Sequence, residues 1–180
     1  MGRIVANFFI SLDGVVERPD QWHVPYFDEE MGGVIGAGMQ DQRAFLLGRR
    51  LYDEWSAYWT STTEADGFGP HINAIQKYVV SSTLEEASWQ NTTLLSGDDL
   101  ADRVRAVKES TDGDIGMSGS ATTVRWLLAE GLLDELALLV HPIAVGHGQR
   151  LFEDTPTHPL RLLSSRPLTS GVLFSRYAPA

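Results

Sequence analysis

Residues 115–123 read IGMSGSATT, an apolar run followed by small residues and then by a stretch of helical periodicity. The pattern predicts a strand over 115–118 that turns at Gly119 and Ser120 into a helix, which Gly131 ends. Free N–H groups at the start of such a helix favour a bound anion, so the junction is a candidate phosphate site. A tight turn capped by Ser120 is the alternative interpretation.

Outward from this junction, strand-like and helix-like stretches alternate along the chain. Apolar runs bounded by turn residues predict further strands at 3–10, 44–47, 77–81, 92–96 and 135–140. Apolar spacing and acidic or polar starts predict helices at 28–41, 49–58 and 98–110. Residues 60–70 are rich in turn residues, and residues 160–177 are typical of an antiparallel hairpin around Ser170 and Gly171.

Strands that alternate with helices are typical of an α/β fold with a mostly parallel sheet. We therefore expect a single domain over residues 1–180, with helices on both faces of the sheet and an antiparallel hairpin at its C-terminal edge. The length is that of one domain, and no break in composition divides the chain.

Composition excludes several classes of function. The chain has no cysteine, which excludes disulfides, thiol nucleophiles and iron–sulfur clusters. Its five histidines lack the i, i+4 spacing of metal ligands, so we expect no metal site. The formal net charge is −10, and the largest basic cluster is Arg49-Arg50, which argues against nucleic-acid binding.

The N-terminal residues lack a cleavage-site pattern, and no apolar stretch approaches the length of a membrane span. We therefore expect a cytoplasmic protein that does not enter a membrane. The P-loop, the G-x-S-x-G elbow, H-E-x-x-H and the G-x-G-x-x-G fingerprint are all absent. An acidic chain without these motifs must bind an anion through a few well-placed donors.

Two other segments carry such donors. Arg49 and Arg50 follow Gly48 at a predicted helix start, where positive charge opposes the helix dipole. A bound phosphate would stabilise them there, and two solvated side chains are equally consistent with the sequence. The segment 81–83 (Ser-Ser-Thr) places three hydroxyls at the end of a strand, although Ser82-x-x-Glu85 also reads as a helix capping box.

The order of these segments resembles the dihydrofolate reductase-like superfamily, and within it the family of the riboflavin-biosynthesis reductase (RibD) C-terminal domain. Five blocks carry the resemblance and span nearly the whole chain: 11–14, 48–52, 78–83, 115–121 and 133–152. Riboflavin enzymes often carry a zinc deaminase domain as well, but that domain needs cysteines and length that this chain lacks.

The resemblance implies a dihydrofolate reductase-like fold and NADPH as the hydride donor. The residues implied near the cofactor phosphates are Gly48, Arg49 and Arg50; those at the adenosine 2′-phosphate are Ser81, Ser82 and Thr83; those at the pyrophosphate are Gly119, Ser120, Ala121 and Thr122. The planar fork of arginine suits a phosphate because it can bond two oxygens.

Candidates for a proton donor and a substrate pocket lie early in the chain. The resemblance implies a carboxylate on the helix after the first loop, as in folate reductases; Asp28, Glu29 or Glu30 could fill that role, and we take Asp28, although an acidic helix start also explains all three. Asp13 is the other candidate acid, and a turn residue is its alternative interpretation. The aromatic residues Trp22, Tyr26 and Phe27 are candidates to line a pocket for a flat heterocycle. A further aromatic triplet, Trp55, Tyr58 and Trp59, is more typical of a core or a subunit contact.

The function that this pattern favours is an NADPH-dependent reductase, expected as a homodimer, that transfers a hydride to a small heterocycle of the pterin or ribosylamino-pyrimidine type. A non-catalytic NADPH- or nucleotide-binding module with the same fold is the alternative. A carbohydrate-binding protein that uses the aromatic loop is a third hypothesis.

Overall fold

The computed structural model describes residues 1–62 and 67–180 of the chain. Its strands are β1 (Arg3–Ser11), β2 (Gln42–Gly48), β3 (Gln76–Val80), β4 (Thr92–Leu95), β5 (Asp114–Met117), β6 (Glu135–His141), β7 (Leu160–Pro167) and β8 (Leu173–Pro179). Its α-helices are α1 (Glu29–Gln40), α2 (Arg49–Trp59), α3 (Phe68–Ala74), α4 (Leu100–Ser110) and α5 (Ala121–Ala129).

The eight strands form one sheet in the order β4-β3-β2-β5-β1-β6-β8-β7. The first six in this order are parallel, whereas β8 runs antiparallel to both β6 and β7. The predicted α/β fold with a C-terminal antiparallel hairpin is therefore confirmed. Because the six parallel strands end at the same edge of the sheet, the segments that follow them meet there, which is where α/β proteins bind ligands.

Helices cover both faces of the sheet, as the alternation within β2 shows. Ala44 and Leu46 face a core that α4 and α5 complete, and Phe45 and Leu47 face a second core with α2 and α3. Further along this second face, α1 packs Met31 against β6 and β8. Burial on both faces explains why β2 is almost continuously apolar.

Two local predictions differ from the structure. Helix α3 was not predicted, because its seven residues include Gly69 and Pro70 and lack a clear period. No helix directly follows the segment 81–83, so the alternative interpretation of Ser82-x-x-Glu85 as a helix capping box is wrong. The hydroxyl of Ser81 instead accepts bonds from the backbone N–H groups of residues 83 and 84 in a local turn.

The aromatic triplet of α2 divides between the core and the surface. Trp55 and Trp59 pack against Phe68 of α3, with ring centroids 5.2 Å apart in each case. Tyr58 is 58% exposed. Residues 63–66 of the predicted turn-rich stretch lie outside the described part of the chain. Within residues 1–62 and 67–180, no helix combines the length and the apolar character needed to cross a membrane.

A buried lysine closes the end of α3. The Lys77 ammonium donates to the carbonyls of Ile72 and Ile75 at 2.9 Å each and of Asn73 at 3.4 Å. It also lies 4.7 Å from the centre of the Trp89 ring, an attractive cation–π contact. Burial lowers the pKa of Lys77 to about 8. Lys77 therefore satisfies carbonyl groups that α3 leaves without an internal partner.

Replacing Lys77 with methionine is expected to lower the free energy of unfolding by about 2–3 kcal/mol, because buried carbonyls lose their donor. Urea denaturation of both proteins measures the change. Arg161→Met is the control: it alters an exposed residue of β7 and should change stability by less than about 0.5 kcal/mol. Equal stability of K77M and wild type would contradict this role for Lys77.

Candidate functional site

A cavity of about 630 Å³ lies at the carboxyl edge of the parallel strands, between the starts of α2 and α5 and the ends of β3 and β4. Seven of the ten predicted cofactor residues line it: Arg49, Arg50, Ser81, Ser82, Thr83, Ser120 and Thr122. Three segments that are distant in sequence thus meet around one cavity. Two arginines, several hydroxyls and a helix N-terminus are together suited to a phosphorylated ligand.

The glycines predicted at the site let its walls approach one another. The N–H of Gly48 donates to the carbonyl of Gly119 at 3.2 Å, which joins the segments that follow β2 and β5. A Cβ at Gly48 would lie 2.5 Å from Thr123 Oγ1 and closer still to Ser120 Oγ. Gly119 has φ +148°, a conformation that side chains disfavour. Ala121, the third predicted residue outside the cavity lining, is buried behind it.

Ser120 precedes α5 with extended backbone angles, but its side chain makes no capping hydrogen bond. Its hydroxyl is buried and has no partner among the described residues. A buried hydroxyl without a partner costs free energy, so a polar ligand at this point would stabilise it. The side chain therefore does not act as the cap that the alternative interpretation required.

Carboxylates neutralise both arginines at the cavity. Arg49 Nε donates to both carboxylate oxygens of Asp53, at 2.8 and 2.9 Å, and Arg50 contacts Glu54 in the same i, i+4 relation. Arg50 Nη2 also donates to Glu17 Oε1 at 2.6 Å, and Glu17 lies in the loop that follows β1. The pKa of Arg50 is raised by this bond. The arginines are thus neither free in solvent nor unpaired, and an anionic ligand would compete with these carboxylates.

The two candidate acids have structural partners and do not line the cavity. Asp13 accepts hydrogen bonds from Ser11 Oγ at 2.6 Å and from the backbone N–H groups of Val145 and Gly146 at 2.9 and 2.8 Å. These bonds hold the pKa of Asp13 well below its usual range. Asp28 caps α1 by accepting from the Met31 N–H at 2.8 Å. Asp13 therefore joins two loops as a carboxylate, and Asp28 stabilises a helix start.

The predicted aromatic pocket residues gather around a histidine, His141, which sequence reasoning did not single out. The Trp22 and Tyr26 rings lie 5.3 and 5.5 Å from the His141 ring. Phe27 is 51% exposed and touches this group only through His23, at 5.9 Å. Trp22 is buried, so its ring has no open face on which a sugar could stack.

The aromatic group and the cavity are separate, but one loop joins them. Trp22 Nε1 donates to the carbonyl of Glu17 at 3.1 Å, and the Glu17 carboxylate bonds Arg50 at the cavity. The position of His141 in the block 133–152 was the one sequence signal that could have pointed to it. Its ring contacts depend on the loop after β1, which the sequence does not place.

Residues 3–174 match the model of the RibD C-terminal domain, so the chain belongs to that family. Protein YyaP from Bacillus subtilis (strain 168) is 28% identical over 178 residues, which is 95% of this chain and 92% of YyaP. The family predicted from the ordered blocks is confirmed.

Solved structures show the same fold at low sequence identity. A putative riboflavin biosynthesis protein from Shewanella sp. PV-4 superposes with a TM-score of 0.80 at 18% identity, covering 99% of both chains. Dihydrofolate reductase from Enterococcus faecalis, complexed with NADP(H), gives 0.68 at 12% identity, covering 99% of this chain and 96% of the reductase. A pyrimidine reductase-like protein from Corynebacterium diphtheriae gives 0.63 at 16%, covering 99% and 92%. The fold is therefore dihydrofolate reductase-like. One of these neighbours is a dihydrofolate reductase, and another is named as a pyrimidine reductase-like protein.

Proposed function

We propose that this protein is an NADPH-dependent reductase that transfers a hydride to a small heterocycle of the pterin or ribosylamino-pyrimidine type. The observation that carries the proposal is the cavity in which Arg49 and Arg50 face the hydroxyls of residues 81–83 and the start of α5. The family and the reductase names among its structural neighbours support it.

The residues at the cavity fit the phosphates of NADPH. Arg49 already reaches Thr83 Oγ1 at 3.4 Å, so a guanidinium and the hydroxyls of 81–83 can hold one phosphate group together, as a 2′-phosphate requires. The unpartnered Ser120 hydroxyl and the free N–H groups of α5 suit the pyrophosphate. Gly48 has no side chain, which lets the segments that follow β2 and β5 pack closely behind these groups. When bound, NADPH supplies the hydride, and these residues hold and orient the cofactor.

The alternative of a non-catalytic NADPH-binding module has one observation in its favour. Both candidate acids are engaged elsewhere: Asp13 is held ionised by its hydrogen bonds, and Asp28 caps a helix. A hydride acceptor that also needs a proton would then take it from water or from another group. Binding of NADPH without oxidation on any pterin or pyrimidine would favour this alternative.

The first experiment is a fluorescence titration of the protein with NADPH and, separately, NADH. The five tryptophans make binding visible through quenching and energy transfer to the nicotinamide. The proposal expects binding that is selective for NADPH, followed by loss of the reduced-nicotinamide absorbance when a suitable pterin or pyrimidine is added. If neither NADPH nor NADH binds, both the reductase hypothesis and the binding-module hypothesis are overturned.

A cytoplasmic homodimer belongs to the same proposal. Leu162 and Leu163 of the edge strand β7 are 54% and 40% exposed, and Leu173 of β8 is 41% exposed. Burying these side chains against a second copy would stabilise a dimer through the hydrophobic effect. Sedimentation velocity should give twice the monomer mass, and a single monomer boundary at micromolar concentration would contradict this assembly.

Replacing Asp53 with asparagine is expected to tighten NADPH binding about threefold, because Arg49 then loses a carboxylate that competes with the phosphate. The same fluorescence titration measures the change. Asp102→Asn is the matched control, since Asp102 pairs with Arg105 on α4, outside the cavity lining. Weaker NADPH binding by D53N would indicate instead that Asp53 orients Arg49 toward the phosphate.

A further inference from the structure

The carboxylates that contact the two arginines of the cavity differ in where they lie. Asp53, the partner of Arg49, is part of the cavity lining. Glu17 and Glu54 both contact Arg50, but neither is part of the lining. An anionic ligand in the cavity therefore competes with Asp53 first. Glu17 contacts Arg50 from outside the lining, so any effect that it has on a ligand acts through Arg50.

The Glu17 carboxylate joins two walls of the cavity. Its Oε1 accepts from Arg50 Nη2 at 2.6 Å, and its Oε2 accepts from the backbone N–H of Gln149 at 2.8 Å. Arg50 and Gln149 both line the cavity, one at the start of α2 and the other in the segment that follows β6. The Gln149 N–H and the Arg50 guanidinium lower the pKa of Glu17, so the group is ionised at neutral pH. One carboxylate thus fixes the two walls relative to each other.

The backbone beside Glu17 is itself anchored. The N–H of Val16 donates to the carbonyl of Gln149 at 3.0 Å, so the loop after β1 is bonded to the segment after β6. Gly148 has φ +99°, and a Cβ there would lie 3.1 Å from Glu17 Oε2. A glycine at this position lets the chain pass close to the carboxylate. Glu17 therefore holds Arg50 from a fixed point and not from a mobile loop tip.

Arg50 keeps part of its hydrogen-bonding capacity free. Its Nη2 bonds Glu17, and its Nε contacts Glu54 at 3.3 Å. Its Nη1 has no hydrogen-bond partner within residues 1–62 and 67–180. A guanidinium carries five N–H groups, so Arg50 can bond an anion through Nη1 while Nη2 stays on Glu17.

The two adjacent arginines contact opposite sides of the cavity. Arg49 Nη1 reaches Thr83 Oγ1 at 3.4 Å, in the segment after β3, whereas Arg50 reaches Glu17 in the loop after β1. In the sheet, β3 lies on one side of β2, and β5 and then β1 lie on the other. Because α5 begins after β5, Arg50 is on the side of the α5 start, where the proposed function has the pyrophosphate.

We propose that Glu17 is a positioning residue that holds Arg50 through Nη2 and so leaves Nη1 to bond the pyrophosphate of the cofactor. This inference rests on the proposed function and adds to it a residue outside the cavity lining. The Arg50 side chain is 57% exposed, and without Glu17 it would sample many rotamers. Binding would then have to immobilise it, which weakens affinity. The pyrophosphate is common to NADPH and NADH, so Glu17 supports both cofactors equally.

Glu17→Met, which removes both acceptor oxygens at similar length, tests this role by fluorescence titration. The dissociation constants for NADPH and for NADH should both rise about threefold to tenfold, the factor expected for one side chain that binding must newly immobilise. Glu17→Gln keeps one acceptor oxygen and should lose less. In protein that already carries Arg50→Ala, adding E17M should change either constant by less than about twofold, because the two residues act as a pair.

Glu30→Met is the matched control. Glu30 also joins an arginine to a backbone N–H: it accepts from Arg166 Nη1 at 2.7 Å and from the N–H of Thr169 at 2.8 Å. Glu30 is not part of the cavity lining, so E30M should leave both dissociation constants unchanged. The comparison separates an effect on the cofactor from the general loss of an ion pair.

A second measurement needs no variant and so does not depend on folding. In wild-type protein labelled with nitrogen-15 at arginine, the two Nη resonances of Arg50 should be resolved before cofactor is added, because the bond to Glu17 slows rotation of the guanidinium. Addition of NADPH should shift the Nη1 resonance. A single averaged Nη resonance in the free protein would overturn the inference.

The titrations separate this inference from the proposed function. If wild type binds neither NADPH nor NADH, the proposed function fails, and the inference fails with it. If wild type binds both and E17M binds them equally well or more tightly, only the role of Glu17 is overturned. A loss for NADPH alone, or the same loss in the R50A background, would also overturn that role.

Discussion

Replacing Arg49 and Arg50 together with alanine is expected to raise the dissociation constant for NADPH about 100-fold and that for NADH less than about tenfold. Hydrogen bonds to charged groups each contribute about 1.5–3 kcal/mol. Both arginines are partly exposed, which weakens such bonds, so we expect the pair together to contribute about 3 kcal/mol to NADPH binding. Both arginines line the cavity opposite the hydroxyls of 81–83, so in this variant the 2′-phosphate loses more hydrogen bonds than any other group of the cofactor.

Parallel titrations with the two cofactors measure this difference. Arg105→Ala with Arg161→Ala is the matched control, because Arg105 pairs with Asp102 on α4, Arg161 is exposed on β7, and neither lines the cavity. The control should leave both dissociation constants unchanged, which shows that loss of two positive charges alone is not the cause. Equal losses for NADPH and NADH in the first variant would mean that the arginines do not distinguish the 2′-phosphate.

The second large effect is expected at Gly48. Alanine there would place its Cβ against the hydroxyls of Ser120 and Thr123 and 2.9 Å from the Cβ of Ser120, so rotation of the hydroxyls alone does not relieve the clash and the segments after β2 and β5 must move apart. We expect a loss of about 2–3 kcal/mol of stability, as overpacking typically costs. That corresponds to a fall of about 5–10 °C in the melting temperature. NADPH binding should weaken at least about tenfold, because Ser120 and Arg49 no longer hold their relative positions.

Calorimetry and the NADPH titration together test Gly48→Ala. The matched control is Gly36→Ala in α1, where a Cβ meets nothing within 4 Å. Alanine within a helix should raise stability there by about 0.5–1 kcal/mol and leave cofactor binding unchanged. A G48A protein as stable as wild type, with unchanged NADPH affinity, would contradict the close contact described here.

Much of the fold was predictable because each element carries its own local signal. The apolar runs of β2 and β6 and the turn at Gly171 follow from short-range preferences. Helix α3 was missed because it has only seven residues, among them Gly69 and Pro70, and packs its aromatic side chains against α2. Its stability comes from that tertiary contact, which local propensity does not include.

The candidate site was predictable in its composition and less so in its electrostatics. The sequence placed Arg49 and Arg50 at a helix start, but two outcomes were open: a bound phosphate or two solvated side chains. The structure adds Asp53 and Glu54 one turn later, a spacing that could have been read from the sequence. The structure also adds Glu17 as a partner of Arg50. Glu17 belongs to a separate loop, so its contact with Arg50 could not have been predicted from the sequence.

By itself, the sequence determined the α/β class, the order along the chain of the strands and of the α-helices other than α3, and most of the donors that line the cavity, because these depend on local periodicity and on residue type. Only the tertiary structure decided that Asp13 joins two loops as a carboxylate, and that the aromatic loop closes on His141. Both outcomes depend on contacts between residues more than 100 positions apart, as the 132-residue separation between Asp13 and Val145 illustrates. Such contacts form only when the sheet brings β1 and β6 side by side.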